Sequence, residues 1–288
     1  MTQIKLAAAP ISWGVSETPS WGLQLRPDRV LSDMRALGLS VTEAGPPGFL
    51  PTDAGAAREL MARHGMRLIG GFVTAVLHDA SVRKAELASV GRQVEWLASA
   101  GAEVLVLAPA TGRSEYSATG DLSDGEWRVL LEGLDTVAEI ADRRDLITAI
   151  HPHFGTVIER HRHVMHFLYE SGHLLCLDTG HLALGGADPL EVARIAGARV
   201  RHVHLKDLDG ALAERVREGT LAYGDAVRAG LFRPLGEGVA RIADVLEHLK
   251  TTKYRGWSVL EQDVMLDREP ADPPSWVARS IEFVRKHG

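Results

Sequence analysis

Short apolar runs alternate with helical stretches from one end of the chain to the other. Eight of the runs read as strands: Leu6–Trp13, Ser40–Ala44, Arg67–Val73, Val104–Ala108, Ile147–His153, Leu174–Thr179, Arg201–Lys206 and Ser258–Gln262. Between them apolar residues recur with helical spacing. Val90, Val94 and Leu97 share one face, Leu130, Leu134 and Val137 another, and Val239, Ile242, Val245, Leu246 and Leu249 a third. Pro27, Pro189 and Pro274 fall near helix starts, where a missing N–H costs little, and Ser123-Asp124 and Asp188-Pro189 read as N-cap signals.

Eight β-then-α units in 288 residues is the pattern of a (β/α)8 TIM barrel, an α/β fold. A doubly wound sheet is the competing fold, but it predicts a G-x-G-x-x-G turn after an early strand, and none is present. A P-loop and a G-x-S-x-G elbow are also missing. With no Pro-, Gly- or Ser-rich linker, residues 1–288 are expected to form a single TIM-barrel domain. One long insertion, at about 207–238, follows the seventh strand and is expected to lie over the catalytic face.

Composition narrows the partners. A net charge of −6 argues against nucleic acid, which needs a basic face. No apolar run reaches the roughly 20 residues of a membrane span. The one cysteine, Cys176, sits between Leu175 and Leu177 as a buried strand residue and fits a reducing cytoplasm. Lys5–Ile11 reads as a first strand rather than a signal core, so a cytoplasmic location is expected.

Barrels of this type carry their active sites at the C-terminal ends of the strands. Those ends supply Glu43, then His151 and His153, then Asp178-Thr179-Gly180-His181, then His202, His204, Lys206 and Asp207, and last Glu261, Gln262 and Asp263. Val203 and Leu205 alternate with His202, His204 and Lys206, which therefore share one strand face. Two imidazoles and an ammonium on a buried face are costly unless something there needs them. One divalent cation would explain the cluster, with nitrogens from His204 and either His151 or His153, and oxygens from Asp178 and Glu261. Such a mixed set suits Mn²⁺, Co²⁺, Fe²⁺ or Zn²⁺ better than Ca²⁺. His161, His163 and His166 fall in a charged helical stretch and are expected on a solvated face. Trp21 and Trp127 are expected to pack, whereas Trp13 follows the first strand at the barrel mouth.

The strand ends resemble the xylose-isomerase-like superfamily of sugar isomerases and epimerases along essentially the whole chain. The superfamily pattern has an acidic residue after strand five, Asp-x-x-His after strand six, His-x-His on strand seven and Glu on strand eight. Asp178 with His181, His202 with His204, and Glu261 match it. Within the superfamily the chain is most similar to the inosose dehydratases. The stretches that carry this are Ala9-Pro10-Ile11-Ser12-Trp13, Thr42-Glu43, His151-Pro152-His153-Phe154-Gly155-Thr156, Asp178-Thr179-Gly180-His181, His202-Val203-His204-Leu205-Lys206-Asp207, Gly236-Glu237-Gly238, and Gly256-Trp257 through Glu261. Where the epimerases place a glutamate after strand five, this chain has His151, which points toward the dehydratases.

The resemblance implies Asp178, His204 and Glu261 as ligands of one divalent metal, Mn²⁺ foremost, with His151 fourth and His153 its rival. It implies loss of water from a cyclic keto-polyol such as 2-keto-myo-inositol through an enolate; the alternative is a sugar epimerase or isomerase using the same enolate. His153 or His181 would act as base or acid beside Glu261, and Lys206 would stabilise the enolate. Trp13, Glu43, His181 and Lys206 would contact the small-molecule substrate. A homo-oligomer is a further family-level expectation.

Overall fold

The computed structural model of the protein describes residues 4–18, 20–113, 121–270, 272 and 274–288. The barrel strands are β1 (Lys5–Ala8), β2 (Val41–Glu43), β3 (Arg67–Ala75), β4 (Val104–Pro109), β5 (Ile147–Ile150), β6 (Leu175–Asp178) and β7 (Val200–Leu205). A two-stranded antiparallel ribbon follows, β8 (Asp207–Leu208) with β9 (Phe232–Arg233), and β10 (Trp257–Leu260) completes the set. The parallel strands close in the order β1-β10-β7-β6-β5-β4-β3-β2. Around them run α1 (Pro27–Ala36), α2 (Ala54–Arg63), α3 (Ala80–Ala100), α4 (Asp124–Asp142), α5 (His161–Glu170), α6 (Thr179–Leu184), α7 (Pro189–Ala196), α8 (Gly210–Arg217), α9 (Tyr223–Arg228), α10 (Ile242–Thr251) and α11 (Ser275–His287). This is the expected (β/α)8 barrel, with each predicted strand in place.

Strand alternation divides the apolar residues between two layers. Ala7, Ala9, Val41, Ile69 and Val259 pack together, as do Val104, Val106, Ala149 and Cys176, separately from the main core. The residues between them, such as Leu105, Leu107, Leu175 and Leu177, join the large core that also holds Val90, Val94, Leu97, Leu130, Leu134 and Val137 from α3 and α4. Ser123 caps α4 through a capping box with Glu126, and Asp188 caps α7.

Four readings change. The first strand ends at Ala8, because Pro10 brings no N–H to a ladder and opens a 3-10 turn, Pro10–Trp13, that Gly14 ends at φ +77°. The fifth strand stops at Ile150. Beyond it Pro152 has no donor, and the His153 N–H goes to the Ile158 carbonyl at 3.1 Å instead of to a neighbouring strand. Val239 lies before α10, 57% exposed, rather than on its apolar face. His163 is buried rather than solvated, its Nε2 2.9 Å from Asp121 Oδ1; His161 and His166 are exposed, and His166 lies against Trp127.

The insertion forms α8, α9 and the β8–β9 ribbon, anchored by Asp207. Its buried carboxylate accepts N–H groups from Leu208 and Ala240 at Oδ1, and from Gly236 and Gly238 at Oδ2, at 2.9–3.1 Å. A Cβ at Gly238 would collide with Asp207 Oδ1. Glycine is what lets the chain close on that carboxylate.

Candidate active site

The ends of β2, β5, β7 and β10 line one cavity of about 230 Å³, and the end of β6 meets them through Asp178. His202 Nε2 and His204 Nε2 both donate to Glu43 Oε1, at 2.7 and 3.0 Å. This fixes the His204 ring with Nδ1 turned the other way, 3.3 Å from Glu261 Oε2 and 3.6 Å from Asp178 Oδ2. His151 reaches the same carboxylate from β5, Nε2 3.6 Å from Asp178 Oδ2, while its Nδ1–H is held by the Pro152 carbonyl at 2.9 Å. Asp178 Oδ1 is occupied by the His181 N–H at 2.7 Å, as the N-cap of α6.

Two of these atoms, Asp178 Oδ2 and His204 Nδ1, are buried without a hydrogen-bond partner. Bonds of about 2.1 Å to one ion place neighbouring ligand atoms roughly 3–3.5 Å apart, close to the spacings above. Asp178, His204 and Glu261 form one ligand group, and the carbonyl that holds His151 Nδ1–H leaves Nε2 as its basic nitrogen. The donor set fits a divalent cation. His153, the rival of His151, packs instead on His181, ring centroids 3.7 Å apart.

Lys206 supplies the cluster's other positive charge. Its Nζ is 2.8 Å from Asp263 Oδ1, 3.0 Å from Glu261 Oε2 and 3.2 Å from His181 Nε2. Burial works against this ammonium, but Asp263, Glu261 and Asp178 together raise its pKa well above the usual lysine value. It is therefore a donor and a charge, not a base. The stem of Lys206 crosses Gly180, where a Cβ would lie within 2.8 Å of Lys206 Cβ and Cδ. That contact explains the glycine of Asp-Thr-Gly-His.

Burial lowers the imidazoles of His151 to about 4 and of His153 to about 3, the latter helped by the His151 charge, so both are neutral at pH 7. Burial opposes the ionisation of Glu43 too, yet His204 and His202 bring its carboxyl down to about 2. In chelator-treated protein these groups have one sign. The unfolded chain binds protons on the histidines below pH about 6.5 and on Glu43 below about 4.5 while the native state does not. Stability is expected to fall as pH drops through those values, by about 1.4 kcal/mol per pH unit for each group inside its window. Thermal unfolding between pH 7 and 4 with chelator present measures this; a flat profile contradicts it.

Of the residues expected at the site, Glu43, His151, His153, His204, Lys206 and Glu261 line the cavity. Asp178 and His181 lie just beneath it, fully buried. Glu43, expected on a substrate hydroxyl, lines the cavity and engages His202 and His204 through Oε1. Trp13, expected to cover a substrate ring, is turned into the core by the 3-10 turn, its indole N–H on Asp33 Oδ2 at 3.2 Å.

The aromatic residues Trp21, Phe72, Tyr223 and Phe232 were not expected at the site, and Asp263, read at a strand end, was given no role there. Trp21 lines the cavity. Phe72 and Thr74 share an inward face of β3, and Asp263 follows Glu261 by two residues, so period-two alternation marks all three. Tyr223, from the insertion, donates to Asp263 Oδ2 at 2.8 Å and stacks on Phe154. The insertion therefore reaches the Lys206 cluster, as Phe232 also does, its ring centre 5.1 Å from the ammonium.

Known proteins agree with this architecture. The family model described as xylose isomerase-like TIM barrel matches residues 31–287. The chain is 31% identical to the rhizopine catabolism protein MocC of Rhizobium meliloti over 91% of this chain and 82% of that one. It is 27% identical to an inosose dehydratase of Geobacillus thermodenitrificans, over 99% and 97% of the two chains. The fold superposes on the 3-keto-D-glucoside 4-epimerase YcjR of E. coli with a TM-score of 0.70 at 15% identity, covering 99% of this chain and 100% of that one.

Proposed function

The chain belongs to the xylose isomerase-like TIM barrel family, and from that membership we propose that it is a metal-dependent hydro-lyase acting on a cyclic polyhydroxy ketone such as 2-keto-myo-inositol. One observation carries this reading. On the β4–β6 side of the cavity the described lining residues with acid–base chemistry are imidazoles, His151 and His153; the lining carboxylates Glu43, Glu261, Asp263 and Glu17 come from other elements. Epimerisation through an enolate needs a proton taken from one face and returned on the other, a task for two groups across the ring. Elimination needs one basic group and a stabilised enolate. The similarity to an inosose dehydratase along nearly the whole chain supports the same choice.

His151 Nε2, Asp178 Oδ2, His204 Nδ1 and Glu261 Oε2 would hold the cation, which as a Lewis acid draws electron density from the ketone oxygen. The Phe154 carbonyl, 2.7 Å from His153 Nδ1, fixes the tautomer in which Nε2 is the basic nitrogen. His153 would remove the proton α to the ketone; the Lys206 ammonium would hydrogen-bond the enolate oxygen. The C–O bond to the β-hydroxyl then breaks, and the imidazolium returns its proton to the departing hydroxide as water. His181 would act through Lys206, whose Nζ it meets at 3.2 Å.

The test incubates the protein and Mn²⁺ or Co²⁺ with 2-keto-myo-inositol and follows absorbance of the diketone product. Deuterium uptake from solvent into a ketohexose, with no water lost from the cyclic ketone, would establish the epimerase instead.

A further inference from the structure

Lys206 serves an enolate only if its ammonium points at the substrate oxygen. Glu261 Oε2, 3.0 Å from Nζ, is the oxygen assigned to the cation, which leaves Asp263 Oδ1, at 2.8 Å, as the nearer anion that holds the ammonium. Asp263 lies beyond the end of β10, where no strand neighbour fixes it. Its backbone is pinned on both sides. The Gln262 N–H donates to Ser12 Oγ at 2.9 Å, and the Val264 carbonyl accepts the Trp21 indole N–H at 2.9 Å. What remains free is rotation of the carboxylate, and the Tyr223 hydroxyl stops it by donating to Oδ2 at 2.8 Å.

The tyrosine is held for this task by its ring. Tyr223 opens α9 in the insertion and is 5% exposed. Phe154 stacks on it with ring centres 5.4 Å apart, Phe232 meets it edge-on at 6.3 Å, and Trp21 lies at 6.5 Å. These three come from the segment after β5, from β9 and from the segment before α1, so packing sets where the hydroxyl points. A buried phenol needs only some acceptor, and a carbonyl would do. Here the acceptor is the carboxylate that holds the ammonium, and a hydrogen bond to a charged group is among the strong ones. Tyr223 is not among the described residues that line the catalytic cavity, so it reaches a substrate only through others.

We propose, resting on the role given to Lys206 above, that Tyr223 is a positioning residue. Through Asp263 it orients the Lys206 ammonium toward the enolate oxygen, so that the insertion governs the rate without touching the substrate. Removing the hydroxyl frees Asp263 Oδ2, the carboxylate turns, and Oδ1 no longer fixes Nζ.

Tyr223→Phe in the Mn²⁺-loaded full chain tests it, because phenylalanine keeps the stacked ring and removes only the hydroxyl. With 2-keto-myo-inositol, kcat is expected to fall by about tenfold or more, the scale on which a slightly misplaced group slows a reaction, while KM stays within about twofold. The same substitution made in Lys206→Met is expected to cost nothing further, since no ammonium is left to orient. A readout without substrate accompanies these. In chelator-treated protein labelled with nitrogen-15 lysine, the Nζ resonance that vanishes in Lys206→Met is expected to shift and broaden in Tyr223→Phe. A kcat within about threefold of wild type, an equal loss in the Lys206→Met background, or an unmoved Nζ resonance overturns the proposal. A wild-type protein that turns over no ketone, with an Nζ resonance that still responds to Tyr223→Phe, would overturn the catalytic reading and leave this coupling standing.

Discussion

Lys206→Met is expected to lower kcat by about 10²- to 10³-fold, the usual loss when one preorganised donor to a developing oxyanion is removed. Methionine keeps the length and apolar character of the stem that lies across Gly180, so backbone packing there survives. The charge does not survive. Asp263, Glu261 and Asp178 lie 2.8, 3.0 and 3.9 Å from the ammonium, inside a cluster with almost no exposure to water. Removing one partner of a buried pair leaves the others uncompensated, at a cost of about 3–5 kcal/mol. The variant is therefore expected to be both slow and less stable, and the two losses separate experimentally. Urea unfolding measures the stability loss, and turnover at a temperature where the variant remains folded measures catalysis. Asp263→Asn offers a comparison, because it perturbs the ammonium's surroundings and keeps the ammonium. A folded Lys206→Met protein turning over within tenfold of the wild type would remove Lys206 from the mechanism.

The barrel was legible because its signals are local and repeat. Eight apolar runs with helical spacing between them specify eight strands whatever their partners, and each run reappears as a strand. The strand ends were legible for a related reason: polar residues at inward-facing positions cannot be hidden by packing, so Glu43, Asp178, His204, Lys206 and Glu261 stood out. Local patterns did not say which of those side chains would bond to one another. Nothing in the sequence reports that Glu43, at the end of β2, meets the imidazoles of β7. Only closure of the barrel brings Glu43 Oε1 within 3.0 Å of both imidazoles. Trp13 failed at shorter range: an apolar run ending in tryptophan continues a strand as readily as it begins a turn, and Pro10 decided for the turn. Tyr223 lay beyond any such reading. Its hydroxyl meets Asp263 only because Asp207 gathers the segment from Leu208 to Ala240 onto one carboxylate.

Asp178→Asn separates the structural half of this residue from its metal-binding half. Oδ1 caps α6 by accepting the His181 N–H, and an asparagine Oδ1 can do the same, so the helix start is expected to persist. At Oδ2 the amide puts an N–H₂ donor where His151 Nε2 and His204 Nδ1 both point, and a cation needs an acceptor there. Mn²⁺ added to chelator-treated wild-type protein is expected to raise the unfolding free energy, by about 2.7 kcal/mol at a hundred times its dissociation constant. In Asp178→Asn that increment is expected to disappear, on top of a loss of metal-free stability from the missing charge 3.9 Å from the Lys206 ammonium. Turnover is expected to fall by about 10³-fold or more, since a Lewis acid supplies several kcal/mol and each tenfold in rate corresponds to about 1.4. Melting curves with and without Mn²⁺ check the binding half without reference to any substrate. An undiminished Mn²⁺ shift in the variant would move the cation away from Asp178; Glu43, His202 and His204, another buried group of metal-ligating type, would then be the place to look.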